Sequence, residues 1–257
     1  MRSDEFQGFT DRLTEWAAVA DGVLGLVLVG STAGTAHAAD AHSDHDFYLL
    51  ATPDACERLR STIDWLPARE HAVVLHERDT EHGAWVVYAD AHMLEYAVFT
   101  PDELALSRTD AHRIVVDRVG DLPARIRPTL SPPPHDAASL ATSLHRALLV
   151  GAGRRARGEL LAARWQLLQA ATALLELLHA IEPAAEAVAD AHNRWRRLER
   201  THPPVAAALE GILERGDTAA ALELSLLAER IAGAGPTWPT ELAQAVRARL
   251  RSLQEAA

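Results

Sequence analysis

The chain has 257 residues, enough for one large domain or two modest ones with a proper core. With 48% hydrophobic and 24% charged residues it has the make-up of an ordinary globular protein, which excludes a disordered chain. A formal net charge of −11 with no lysine argues against a general nucleic-acid binder and fits a cationic small partner. No apolar run reaches the about 18 residues that a membrane-spanning helix requires, and the start MRSDEFQGFT lacks the pattern of a signal peptide. A cytoplasmic protein is therefore expected. Cys56 is the sole cysteine, so neither an internal disulfide nor a thiolate-rich metal site can form, and it reads as a buried, inert thiol.

In chain order, residues 4–20 predict an amphipathic helix with Phe6, Phe9, Leu13 and Trp16 on one side. Leu24 to Val29 reads as a buried strand that stops at Gly30. Ser31 and Thr32 are expected to cap a short helix whose N–H groups are free to meet a phosphate. After a small polar segment, Ser43 to Ala51 reads as a second strand. Side chains at i and i+2 share a face of a strand, so Asp44 and Asp46 project to the same side. Two such carboxylates repel unless a cation lies between them, and hard oxygen ligands suit Mg²⁺.

Thr52-Pro53-Asp54 starts a helix expected to run to about Trp65. Three strands follow, Ala72 to His76, Ala84 to Ala89 and Met93 to Phe99, joined by hairpin-length turns. Glu95 is the only charged residue of the last and shares a face with Met93, Ala97 and Phe99. Thr100 and Glu103 spell a capping box, and Arg113 to Asp117 predicts an edge strand. The stretch PTLSPPP, Pro128 to Pro134, breaks the pattern because successive prolines continue neither a helix nor a central strand. Beyond it come helices: from Asp136 as N-cap through about Val150, from Arg155 to Ala180, then 184–200, 204–215, 218–232 and 239–254. The long second one is expected to bury Leu160, Leu161, Trp165, Leu168, Ala171, Leu175 and Leu178.

Gly30-Ser31 closing one strand and Asp44-His45-Asp46 opening the next resembles the signature of the nucleotidyltransferase superfamily related to DNA polymerase beta. The layout is similar to that of its antibiotic-modifying members, which act on aminoglycosides and lincosamides. The resemblance implies an α+β fold. Residues 1–127 would form a catalytic domain with a mixed sheet flanked by helices, 128–135 a Pro-rich linker, and 136–257 a helical, acceptor-binding domain. It implies two Mg²⁺ ions held by Asp44, Asp46 and Glu95, and a nucleoside triphosphate held at Gly30, Ser31 and Thr32. Glu95 or Glu159 would be the general base, with Asp90 and Glu77 as alternatives for the third carboxylate. The reaction would carry a nucleoside monophosphate, AMP from ATP as the best guess, onto a hydroxyl of a small molecule and release pyrophosphate. The partners are then a nucleoside triphosphate and a small hydroxylated acceptor, with no nucleic acid and no membrane, and a homodimer is compatible with them. With no lysine available, phosphate charge falls to Mg²⁺, backbone N–H groups, hydroxyls and arginine. Spacing does not distinguish among Arg58, Arg113, Arg118, Arg154, Arg155, Arg157 and Arg164.

Other readings compete. The acids of the DxD could be turn formers at an exposed strand start, Glu95 a surface residue, and Glu159 an acid placed well in the first turn of a helix. His37, His42 and His45 with Asp40, Asp44 and Asp46 could form a transition-metal cluster, and His45-Asp46 spells the dipeptide of HD phosphohydrolases. That family carries the pair on helices, whereas FYLLA is strand-like, so His45 reads as a tolerated polar residue pointing away from the aspartates. Arg197 to His202 matches the loose Arg-x4-His pattern of HEPN ribonucleases, with helix capping as the simpler reading. A different class of function is an antitoxin-like or regulatory nucleotidyltransferase that binds or nucleotidylates a partner protein.

Overall fold

A computed structural model describes residues 3–34, 39–40, 42–104, 111–125, 136–182 and 193–255. The chain is α+β and forms two compact units, Met1–Leu130 and Ser131–Ala257. The Pro-rich stretch 128–135 lies outside the described residues.

The first unit runs α1 (Ser3–Val19), β1 (Val23–Val29), α2 (Gly30–Ala33), β2 (His45–Ala51), α3 (Pro53–Ser61), β3 (Val73–Arg78), β4 (Gly83–Tyr88), β5 (Met93–Phe99), α4 (Pro101–Leu104), β6 (His112–Asp117) and α5 (Leu122–Arg125). The strands form one mixed sheet in the order β3-β4-β5-β2-β1-β6. Among the described strands only β2 and β5 pair in parallel. Alternation decides what each face does. Phe47, Leu49, Leu94, Tyr96, Leu26 and Leu28 point one way and are buried with Phe9 and Leu13 of α1 and Leu59 of α3. Each such side chain contributes about 1.5–3 kcal/mol on burial, which makes this the face that holds the unit together. The other face is covered at one end, where Val27 and Leu50 pack with Leu104 and Leu122.

Helix α3 ends earlier than its apolar pattern predicts, at Ser61, because Thr62 turns extended and Trp65 folds back. The indole Nε1 donates to the carbonyls of Leu59 and Thr62 at 3.1 and 2.7 Å, so Trp65 caps the helix instead of extending it. The capping box forms, with the Thr100 N–H donating to Glu103 Oε2 at 2.6 Å. Cys56 is buried, and desolvation raises its pKa, as an inert thiol requires.

The second unit consists of α6 (Ala137–Ala156), α7 (Leu160–Ile181), α8 (Leu198–Thr201), α9 (Pro203–Arg215), α10 (Thr218–Ala232) and α11 (Thr240–Glu255). Asp136 caps α6, accepting from Ser139 N–H at 3.3 Å. The expected break after Val150 and long helix from Arg155 are displaced: α6 continues to Ala156, and α7 starts only after Gly158, at φ +77°, has turned the chain. That turn also rotates the buried stripe. Ala163, Leu167, Ala170, Ala171, Leu174, Leu175, Leu177 and Leu178 are inside, whereas Leu160, Leu161, Trp165 and Leu168 are exposed. The first half of α7 is apolar nearly all round, so periodicity alone did not fix its inner face. Of the expected 184–200 helix only Leu198–Thr201 is seen, residues 183–192 being outside the described set. His202 ends α8 and precedes the Pro203 start of α9, a junction between helices. No described helix is long and apolar enough to cross a membrane.

Candidate active site

The sheet sets the site through one row of paired residues. From β6 to β3 the partners across the sheet are His112, Val29, Asp46, Glu95, Trp85 and Glu77. Paired residues on neighbouring strands project to the same side. Asp46 and Glu95 are therefore direct neighbours on the face opposite the α1–α3 core. Asp44 precedes the first residue of β2, and its charge acts on Glu95. Glu95 has its pKa raised, first by desolvation and then by the charges of Asp79 and Asp44. Tyr48, two residues beyond Asp46, is raised as well, by burial and by Glu95 and Asp46. Among the described residues no ion pair reaches Asp44 or Glu95.

Helix α2 closes the site on the β1 side. Gly30 sits at φ +57°, and a Cβ there would lie 2.9 Å from Asp46 Oδ2, so only glycine lets the turn come this close to the carboxylate. Ser31 and Thr32 lie inside α2 rather than capping it, since Val29 is the N-cap and no side chain caps the helix. Thr32 has a different task. Its Oγ1 accepts from Asp46 N–H at 3.0 Å and lies 3.3 Å from the Asp44 carbonyl oxygen, to which it donates. One hydroxyl thus ties the Gly-Ser turn to both ends of the DxD. Ser31 is half-buried, and among the described residues its hydroxyl has no partner.

His45, between the two aspartates, does point away from them, but it is more than a tolerated polar residue. It is fully buried, stacked on Phe6 with ring centroids 3.7 Å apart. Its Nε2 lies 3.2 Å from the Phe6 carbonyl and 3.1 Å from Thr10 Oγ1, and its Nδ1 lies 2.8 Å from His92 Nε2. A carbonyl needs a donor, so Nε2 carries the proton and Nδ1 accepts from His92. Desolvation, with His92 beside it, lowers the His45 pKa to about 3, and burial lowers that of His92 to about 4. Both rings are neutral and pin α1 beneath the DxD. With His45 and Asp46 on opposite faces of β2, the alternative His-Asp cluster is divided by the sheet, and His37 lies outside the described residues.

The remaining candidates are placed as follows. Asp90 lies in the β4–β5 turn, where Arg69 Nη2 reaches it at 2.7 Å. Arg113 Nε donates to the Ala33 carbonyl at 2.9 Å, which brings it to the end of α2, whereas Arg118 is spent on the carbonyls of Ala20 and Val23. Glu159 belongs to the second unit, and its carboxylate takes Arg154 Nη1 at 2.7 Å and Arg157 Nε at 2.8 Å. Those bonds, that of Arg157 first, lower its pKa.

Among the described residues no three His, Cys, Asp or Glu side chains are already disposed to hold a metal ion. Mg²⁺ commonly takes only one or two carboxylates and completes its shell with water and substrate phosphates. Asp46 and Glu95, paired on adjacent strands, could supply two such carboxylates, whereas the expected third, Asp44, is not gathered with them into a three-carboxylate group.

No protein-family model matches the chain, and no curated protein does either. Among solved structures, the nucleotidyltransferase-like protein from Exiguobacterium sibiricum 255-15 is similar at 14% identity and a TM-score of 0.35, over 98% of this chain and 90% of that one. The aminoglycoside 6-adenyltransferase from Bacillus subtilis is similar at 10% identity and a TM-score of 0.38, over 97% and 98%. The likeness is long but loose. With both TM-scores below 0.5, the functional reading rests on the residues of this chain.

Proposed function

We propose that the protein is a Mg²⁺-dependent nucleotidyltransferase that moves AMP from ATP to a hydroxyl of a small molecule, with an aminoglycoside or lincosamide as the acceptor class. The observation that carries this reading is the in-register pair of Asp46 and Glu95 on parallel strands, with the Gly30 turn packed against Asp46. In this reading Asp44, Asp46 and Glu95 hold the metal, and Gly30, Ser31 and Thr32 cradle the terminal phosphates. Bound Mg²⁺ supplies charge neutralisation at the attacking and leaving oxygens. Glu95 takes the proton of the acceptor hydroxyl as its oxygen bonds to the α-phosphorus and the bond to the bridging oxygen breaks, releasing pyrophosphate. Glu159, tied to two arginines, is the weaker candidate for the base.

The direct test is a product-mass screen of hydroxylated antibiotics with labelled ATP and GTP. An acceptor gaining one nucleoside monophosphate, with matching pyrophosphate, supports the reading. No product on the panel, together with a stable complex with a co-expressed protein, would support the regulatory or antitoxin-like alternative.

A further inference from the structure

The carboxylate row continues past Glu95 in a way that the transfer chemistry alone does not demand. Trp85, the β4 partner of Glu95, is 40% exposed, while its neighbours Ala84 and Val86 are buried. Beyond it, Glu77 of β3 pairs with Trp85 on the same face. The next row on that face is apolar: Leu75, Val87 and Met93 are partners across β3, β4 and β5, and Leu75 is 39% exposed. An exposed indole is thus set between two glutamates and bordered by aliphatic side chains.

The direction of the reaction says what should lie there. The leaving pyrophosphate belongs at α2, which abuts Asp46 from the β1 side. In-line displacement brings the attacking hydroxyl from the opposite side, and along the row that side is Glu95 and then Trp85. An indole face attracts cations and packs against the C–H face of a saturated ring, while flanking carboxylates select ammonium groups. We propose that Trp85 is the acceptor-positioning residue: it stacks on a ring of a polycationic amino sugar, one of whose ammonium groups meets Glu77 while a hydroxyl faces Glu95. This rests on the transfer reading for the direction of attack. The strong negative charge of the chain is in keeping with such a ligand.

Calorimetric titration of neomycin, a polycationic amino sugar, into the full chain and its Trp85→Ala and Trp85→Phe variants tests this, with ATP–Mg²⁺ titrated in parallel. Circular dichroism melts confirm that all three fold. The expected result is neomycin affinity weakened about three- to tenfold in Trp85→Ala, the order that a cation and a ring stacked on a partly exposed indole contribute together, and largely restored in Trp85→Phe. ATP–Mg²⁺ affinity should stay unchanged. A wild-type chain that ignores neomycin, or a Trp85→Ala variant that binds it equally well, overturns the proposal. A loss that falls on ATP overturns it too, by making Trp85 a nucleobase platform. Calorimetry needs no turnover, so the two readings fail separately. Trp85-dependent binding without pyrophosphate release leaves the platform and sinks the transfer reading, and nucleotidylated product with Trp85→Ala unaffected does the reverse.

Discussion

Gly30 offers a sharp test because two effects of one methyl group can be separated. An alanine there would adopt φ +57°, a left-handed conformation that costs a non-glycine residue about 1–2 kcal/mol, and its Cβ would meet Asp46 Oδ2 at 2.9 Å. To regain ordinary contact the carboxylate must retreat by about half an ångström, and since a misplacement of about 1 Å can cost about a hundredfold in rate, a loss of about ten- to a hundredfold is expected. Gly34 is the internal control. It has φ +66°, yet among the described residues nothing lies within 4 Å of its Cβ position. Gly34→Ala therefore incurs the same strain without touching the carboxylate. Both variants should lower the melting temperature by about 2–8 °C. Only Gly30→Ala should also lose Mg²⁺-dependent pyrophosphate release, measured well below either melting temperature. Equal activity in the two variants would refute the claim that the Gly30 turn positions Asp46.

Three further outcomes are expected. Thr32→Val removes the hydroxyl shared by Asp46 N–H and the Asp44 carbonyl, and should cost about 1–3 kcal/mol in chemical denaturation as well as activity, while Thr32→Ser keeps both. If Glu95 is the general base, Glu95→Gln should lose most of the Mg²⁺-dependent turnover and Glu159→Gln should keep it; the opposite pattern would move the base to the second unit. The first unit should also weaken in mild acid. Burial holds His45 at about 3 and His92 at about 4, below the ordinary histidine value of about 6.5, so their contribution is full above about pH 6.5 and is lost as the pH falls toward 4. At pH 5 the loss is about 2 kcal/mol for either histidine at most. Denaturation curves of the first unit that coincide at pH 7.5 and pH 5 would contradict the buried neutral pair.

What could be read in the sequence is what is local. A period of two put Asp46 and Glu95 each opposite its apolar neighbours, as the sheet has them, but β2 begins at His45, so Asp44 lies before the strand in which it was expected. The pairing that makes a site of them, β2 alongside β5 in parallel, joins residues 49 positions apart, Asp46 and Glu95, and no local pattern records it. The same holds for the bond between His45 and His92, 47 positions apart, which turned a seemingly idle histidine into the anchor of α1. Trp85 was legible as a strand residue, but which way it faced depended on its partner Glu95. A faint signal was present, since Ala84, Val86 and Tyr88 alternate with it. In α7 the leucines gave several equally apolar faces, and the turn at Gly158 chose among them.

If the protein transfers nucleotides as proposed, the carboxylates of the DxD carry the metal-dependent step. The most direct measurement is pyrophosphate release from ATP with acceptor, with and without Mg²⁺, for the wild-type chain and for the Asp44→Asn, Asp46→Asn double variant. The wild type should release pyrophosphate only with Mg²⁺ and the variant none, since its isosteric amides leave the Thr32 bonds to the backbone in place. Turnover retained in the double variant would contradict that role.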